Sequence, residues 1–139
     1  LIFPLNYFER VIELFKHDAN VGMAGGFCYV KKNNAWIVEG LTNKDHLRGA
    51  LKAYRKDCFM AIGGLKNTMG WDTVDELLAR YHGWSIVTDE RLKVQHLKPT
   101  GVNYSVNAKY KQGEAFYKMR YGFFLFMIAA TKLALSLPF

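Results

Sequence analysis

An α/β domain followed by an apolar C-terminal helix is the fold that three observations in this 139-residue chain predict. Segments with helical spacing alternate with short runs rich in Val, Ile, Tyr and Phe, the order expected of helices packed on a sheet. Paired glycines, Gly25 with Gly26 and Gly63 with Gly64, punctuate those runs. Finally, Tyr121 to Phe139 carries a single charge, Lys132, too apolar a stretch for an exposed helix. Half of the residues are hydrophobic, enough to build a core over this length.

Each element has its own signal. The opening segment "LNYFERVIELFK" sets Leu5, Phe8, Ile12 and Phe15 at three- and four-residue spacing, with Pro4 tolerated near the start, and predicts a helix whose core face is that stripe. "VGMAGGFCYV" reads as a strand whose glycines permit close backbone approach or a bulge. "AWIVEGL" reads as a second strand after the polar turn "KKNNA". Next come a strand over "GALKAYR" and a short helix over "KDCFMAI", closed by Gly63 and Gly64 as a C-terminal cap and turn. A helix over 72–82 ends at Gly83, and its spacing turns Val74, Leu77, Leu78 and Tyr81 inward. Two short strands in "WSIVTDERLKVQHLKPTG" end at His96, and "KPTGVNYSVNAKYKQG" reads as a mobile loop. The domain therefore spans 1–113, and 114–139 forms a separate apolar helical segment.

Charge narrows the partners. Residues 1–97 carry 13 basic and 11 acidic side chains, whereas 98–139 carry 6 basic and 1 acidic, so the net +7 is concentrated in the tail. No helix-turn-helix, zinc or RNA-binding motif accompanies it, which argues against nucleic acid and for an anionic lipid surface or a diphosphate-bearing substrate. Cys28 and Cys58 lie in apolar contexts without C-x-x-C spacing, the pattern of buried thiols rather than of a disulfide or zinc site. His17, His46 and His82 show no ligand spacing and read as surface residues.

The densest chemistry lies in "TMGWDTVDELLARYHGW", where Asp72, Asp75 and Glu76 crowd the start of a helix. Acidic residues there complement the helix dipole, and Thr68 or Asp72 can cap its free amides. Chemistry is the second reading: a carboxylate kept ionised by the dipole can take a proton as a general base. With the upstream arginine and short helix and the downstream strands ending in "QHLKPTG", this order resembles the acceptor-binding half of family 2 glycosyltransferases with the GT-A fold. The resemblance covers most of the chain and rests on the order of segments, not on any one motif. The family's Asp-x-Asp, which holds the metal and nucleotide, would precede a segment like "LIFPLNYFERVIELF", so the chain is expected to represent the second half of such an enzyme, inactive alone.

Carried over residue by residue, the resemblance implies Asp72 as catalytic base, eleven residues before Gly83, with Asp75 as the reserve. Trp71 replaces the glutamate that usually precedes the base, and can either stack against an acceptor sugar or pack as core. Arg55 would face the diphosphate or brace the site, and Gly63 and Gly64 would let acceptor sugars approach the backbone. His96 would complete the shell of Mn²⁺ or Mg²⁺, bound mainly by the missing Asp-x-Asp, or serve as an ordinary half-exposed histidine. The implied activity is inverting transfer of a sugar from a nucleotide-sugar donor to a glycan or lipid-linked acceptor in cell-surface polysaccharide synthesis. A helix over 121–137 spans about 26 Å, short of a bilayer's ~30 Å core. With Lys109, Lys111, Lys118 and Arg120 before it, it is expected to lie on an anionic membrane at the cytoplasmic face, or else to dock on the domain or on a second copy. The competing reading is a non-catalytic membrane-binding or oligomerisation module with a GT-A-like half fold.

Overall fold

The computed structural model describes residues 1–39, 46–68, 70–97 and 113–135. They form a mixed α/β arrangement in two compact units, one comprising 1–66 and 71–100, the other 67–70 and 101–139. In the first unit α1 (Tyr7–His17) leads into β1 (Val21–Lys32), which turns at Asn33 and Asn34 into β2 (Ala35–Val38). Both turn asparagines have positive φ, as a tight hairpin with right-handed strand twist requires. A 3₁₀ turn (Gly49–Leu51), β3 (Ala53–Tyr54), α2 (Lys56–Ala61), α3 (Trp71–Tyr81) and β4 (Ser85–His96) complete it.

β1 is the spine of the sheet. β4 runs parallel to it from Val21 to Val30, while β3 and β2 pair antiparallel with its opening and closing halves. Because β4 occupies one edge throughout, β3 and β2 must share the other. Core side chains fall into two clusters. Tyr7 and Val11 of α1 pack with Val21, Ala24, Cys28, Leu51, Leu92 and Val94; Met23, Leu47, Cys58, Ile62 and Ala79 form the second. The register shift between Val21 and Met23 lets Val21 join Ala24 and Cys28 in one cluster while Met23 enters the other.

The glycines of β1 do what close approach demands. A Cβ on Gly25 would stand 2.5 Å from the Leu51 carbonyl oxygen, and one on Gly26 would stand 2.1 Å from that of Leu92. The second conflict arises from a bulge: Gly26 pairs with Asp89 and Phe27 with Lys93, so Glu90, Arg91 and Leu92 are extra residues on β4. Asp89 holds that bulge, accepting hydrogen bonds from the Arg91 amide, Nε and Nη2, each at 2.9 Å, with Arg10 at 3.9 Å.

Three expectations are corrected. The inward face of α1 is Tyr7 and Val11 with Leu14 and Phe15 partly buried, whereas Leu5, Phe8 and Ile12 are exposed. The Tyr7 hydroxyl decides this rotation: it donates to the Leu51 carbonyl at 2.8 Å and accepts from the Gly26 amide at 3.2 Å. On α3 the buried residues are Asp75, Glu76 and Ala79; of the expected inward residues Leu78 packs on the core and Val74 is half-buried, but Leu77 and Tyr81 are exposed. The two strands expected after Gly83 are one strand, β4, bent by the bulge.

In the second unit a helix α4 over 113–118 is followed by a turn in which Arg120 has positive φ, and then by α5 (Phe123–Leu135). α5 is apolar and exposed, with Phe123, Phe124, Leu125 and Ile128 all open to solvent. Its 13 residues span about 20 Å, and no helix among the described residues is long and apolar enough to cross a membrane. The expected loop over 98–113 lies, Gly113 excepted, outside the described residues, as do Lys109 and Lys111.

The Asp89 carboxyl is held below its ordinary range, chiefly by hydrogen bonds from the Arg91 side chain, which outweigh its burial. Its contribution is therefore complete above the unfolded carboxylate value and lost as pH falls through the lower folded value. Asp89→Asn should lower the urea midpoint at pH 7 and lose that deficit progressively as pH falls from about 5 to 2. A pH-independent deficit would show that the charge is not what stabilises the bulge.

Candidate functional site

One side of the candidate site is a buried charge network between the 46–55 segment and α3. The Lys52 side chain is fully buried, yet its ammonium lies 2.7 Å from Asp75 Oδ1 and 3.0 Å from Glu76 Oε1, and it also donates to the Asp72 main-chain carbonyl. The Tyr54 hydroxyl donates to the other Asp75 oxygen, Oδ2. Burial and the adjacent Asp75 carboxylate push that phenol far above its usual range, so it stays a donor. Glu76 Oε1 also accepts from the Leu47 amide at 2.9 Å and lies 3.1 Å from His46 Nδ1. His46, expected on the surface, is thus a half-buried partner of Glu76.

This network fixes Asp72 without consuming its carboxylate. Asp72 is exposed in the first turn of α3, and among the described residues its carboxylate has no partner. Gly49 lies against it: a Cβ there would stand 3.2 Å from the Asp72 Cβ and 3.7 Å from Oδ2. The missing side chain leaves the carboxylate open. Trp71 begins the same helix, half-buried, with an indole Nε1 closed off from solvent and without an acceptor among the described residues.

His96 stands at the end of β4, opposite Val30. Its Nδ1 lies 2.6 Å from Glu39 Oε2, the oxygen that also pairs with Arg48 Nη1. Cys28 is buried beside them, and its main-chain carbonyl accepts from the Glu39 amide at 2.8 Å. Burial, the largest effect, pushes the Cys28 thiol up, and Arg48 opposes it. The His46 to Gly49 segment joins the two groups: Arg48 reaches the carboxylate that holds His96, and Gly49 abuts Asp72.

Arg55, Gly63 and Gly64 have structural partners of their own. The Arg55 guanidinium donates to the carbonyls of Val21 at 2.8 Å, Phe15 at 2.6 Å and Asp18 at 3.0 Å, and lies over the Phe15 ring. It clamps the α1–β1 connection, and nine residue steps along β1 lead from Val21 to Val30, roughly 30 Å, so it is a brace remote from His96. Gly63 and Gly64 have positive φ and donate to Met60 and Phe59, a cap on α2. Asp75 is 1% exposed and engaged by Lys52 and Tyr54, so it anchors α3 to the 46–55 segment.

The residues around His96 fit Mn²⁺ or Mg²⁺ poorly. They supply an imidazole, a thiol and a carboxylate already engaged by Arg48, whereas hard cations prefer shells of oxygen. No protein-family model, curated protein or solved structure matches the chain.

Sequence reasoning missed Lys52, Tyr54, Glu39, Arg48 and Gly49. A lysine between apolar Leu51 and Ala53, two residues before a tyrosine, was the available signal for a buried cation. Stability should separate the carboxylates. Asp75→Ala and Glu76→Ala each leave the buried ammonium with one carboxylate in place of two and should each cost about 2 kcal/mol or more in denaturant unfolding. Asp72→Ala should cost much less, because its carboxylate faces water. An equal loss at all three positions would make Asp72 structural as well.

Proposed function

We propose that this chain is the acceptor-side part of an inverting glycosyltransferase, in which Asp72 takes the proton from the acceptor hydroxyl as that oxygen attacks the anomeric carbon of a nucleotide-sugar donor. The observation that carries the reading is the contrast among three carboxylates on one helical turn. Asp75 and Glu76 are buried in ion pairs, while Asp72 is exposed, unpartnered among the described residues, and anchored through its backbone by Lys52. A base needs a carboxylate with free lone pairs and a fixed position. The resemblance of the segment order to family 2 glycosyltransferases supports the same assignment.

The acceptor is a glycan or lipid-linked sugar. Gly49 leaves room for it beside Asp72, and the Trp71 ring, half-exposed next to the base, offers an apolar face to sugar C–H groups. The tail supports a membrane-side location: α5 exposes large apolar side chains, and Lys118 and Arg120 precede it, a combination suited to the interface of an anionic cytoplasmic leaflet. The non-catalytic alternative, a membrane-binding or oligomerisation module, draws on the same exposed helix.

Transfer assays on a protein that joins this chain to a donor-binding half test the reading. Asp72→Asn keeps the size of the side chain but removes its basicity, so turnover should fall by ~10² to 10⁴ with donor affinity little changed. Near-normal turnover in that variant would remove Asp72 from the mechanism, and a larger loss at Asp75, with the fold intact, would transfer the role to it.

A further inference from the structure

We propose that Cys28, Glu39 and His96 form a binding site for a borderline divalent cation of the Zn²⁺ class, with the Arg48 guanidinium as the competing occupant. The three side chains come from β1, from the residue following β2 and from the end of β4, and their donor atoms all lie within 4.8 Å of one another. They are brought together by the sheet itself: Cys28 pairs with Val94 and Val30 with His96, and the Glu39 amide donates to the Cys28 carbonyl at 2.8 Å. Backbone pairing on both edges of β1 therefore presets the site. Because the ligands are far apart in sequence, no C-x-x-C or H-x-x-H spacing announces it.

The donor set selects the ion. One sulfur, one imidazole nitrogen and one carboxylate oxygen suit Zn²⁺ and its stand-in Co²⁺, and three protein ligands leave a fourth position for water or an incoming ligand. The place already attracts positive charge, since Arg48 Nη1 pairs with the Glu39 oxygen that His96 also contacts. Charge balances on exchange. The cation enters, the Cys28 S–H bond breaks as its proton goes to solvent, a metal–sulfur bond forms, and the guanidinium swings away. Thiolate and carboxylate then neutralise the two positive charges of the ion, as neutral thiol, carboxylate and guanidinium balance without it. The proposal stands apart from the glycosyltransferase reading, because it needs neither donor nor acceptor.

Titration of the folded chain with Co²⁺ tests it by absorbance. One equivalent should produce a thiolate-to-cobalt charge-transfer band, absent from Cys28→Ser and retained by Cys58→Ser. Arg48→Gln should bind roughly tenfold more tightly, because it removes the competing charge, and a misfolded protein would not produce that gain. His96→Gln and Glu39→Gln should weaken binding. The absence of the band in the unaltered chain, or its survival in Cys28→Ser, would overturn the site.

Discussion

A lysine ammonium shut away from water is the constraint around which this molecule's candidate site is arranged. The Lys52 side chain is fully buried and meets Asp75, Glu76 and the Asp72 carbonyl together. An isolated charge at that depth would cost several kcal/mol, so the two carboxylates must turn inward from α3 to meet it. That requirement sets the rotation of the helix: with Asp75 and Glu76 inward, Leu77 and Tyr81 are left facing out and Asp72 remains at the rim. Apolar packing alone would have favoured the opposite rotation. Hydrophobic residues could replace such a pair with little loss of stability, but they would not specify one register of α3 against the 46–55 segment.

The order and type of most elements were legible in the sequence, because helical spacing and β-branched runs report local structure directly, but the strand expected over "GALKAYR" is a 3₁₀ turn followed by the two-residue β3. The faces were less so. On α1 the apolar residues Leu5, Phe8 and Ile12 form a regular stripe, yet Tyr7 is drawn inward by two hydrogen bonds at its hydroxyl and the stripe faces out. On α3 the buried face mixes the ionic Asp75 and Glu76 with Ala79 and the core-packed Leu78, which breaks its apolar period. β4 reads as two strands because Asp89, Glu90 and Arg91 interrupt its alternation, whereas the Asp89 carboxylate holds those residues in a bulge within one strand. The glycines of β1 were read correctly as points of close approach, although the approaching carbonyls of Leu51 and Leu92 lie 26 and 66 residues further on. Of the site residues, Asp72 and His96 could be singled out by position; the partners that hold them belong to segments with no local signature.

Three neighbouring carboxylates meet different environments, and environment separates their roles more clearly than sequence does. Asp75 and Glu76 spend their lone pairs on Lys52, Tyr54, Leu47 and His46. Asp72 keeps its own free of described partners while its backbone is held. At the far end of β1, Glu39 likewise gathers His96 and Arg48 onto one oxygen beside a buried thiol. Both clusters depend on the segment from His46 to Tyr54, which contributes His46, Arg48, Gly49, Lys52 and Tyr54 within nine residues. That stretch, more than the acidic helix, organises the chemistry.

The most direct measurement of this account is a double-mutant cycle on Lys52 and Asp75, using Lys52→Met, Asp75→Asn and the combined variant in equilibrium denaturation. If the buried ammonium and carboxylate anchor α3 together, each single change should be strongly destabilising and the combined change far less than their sum, with a coupling of about 2 kcal/mol. Single effects that add within about 0.5 kcal/mol would mean that the two groups act independently, and that something other than Lys52 sets the position of Asp72.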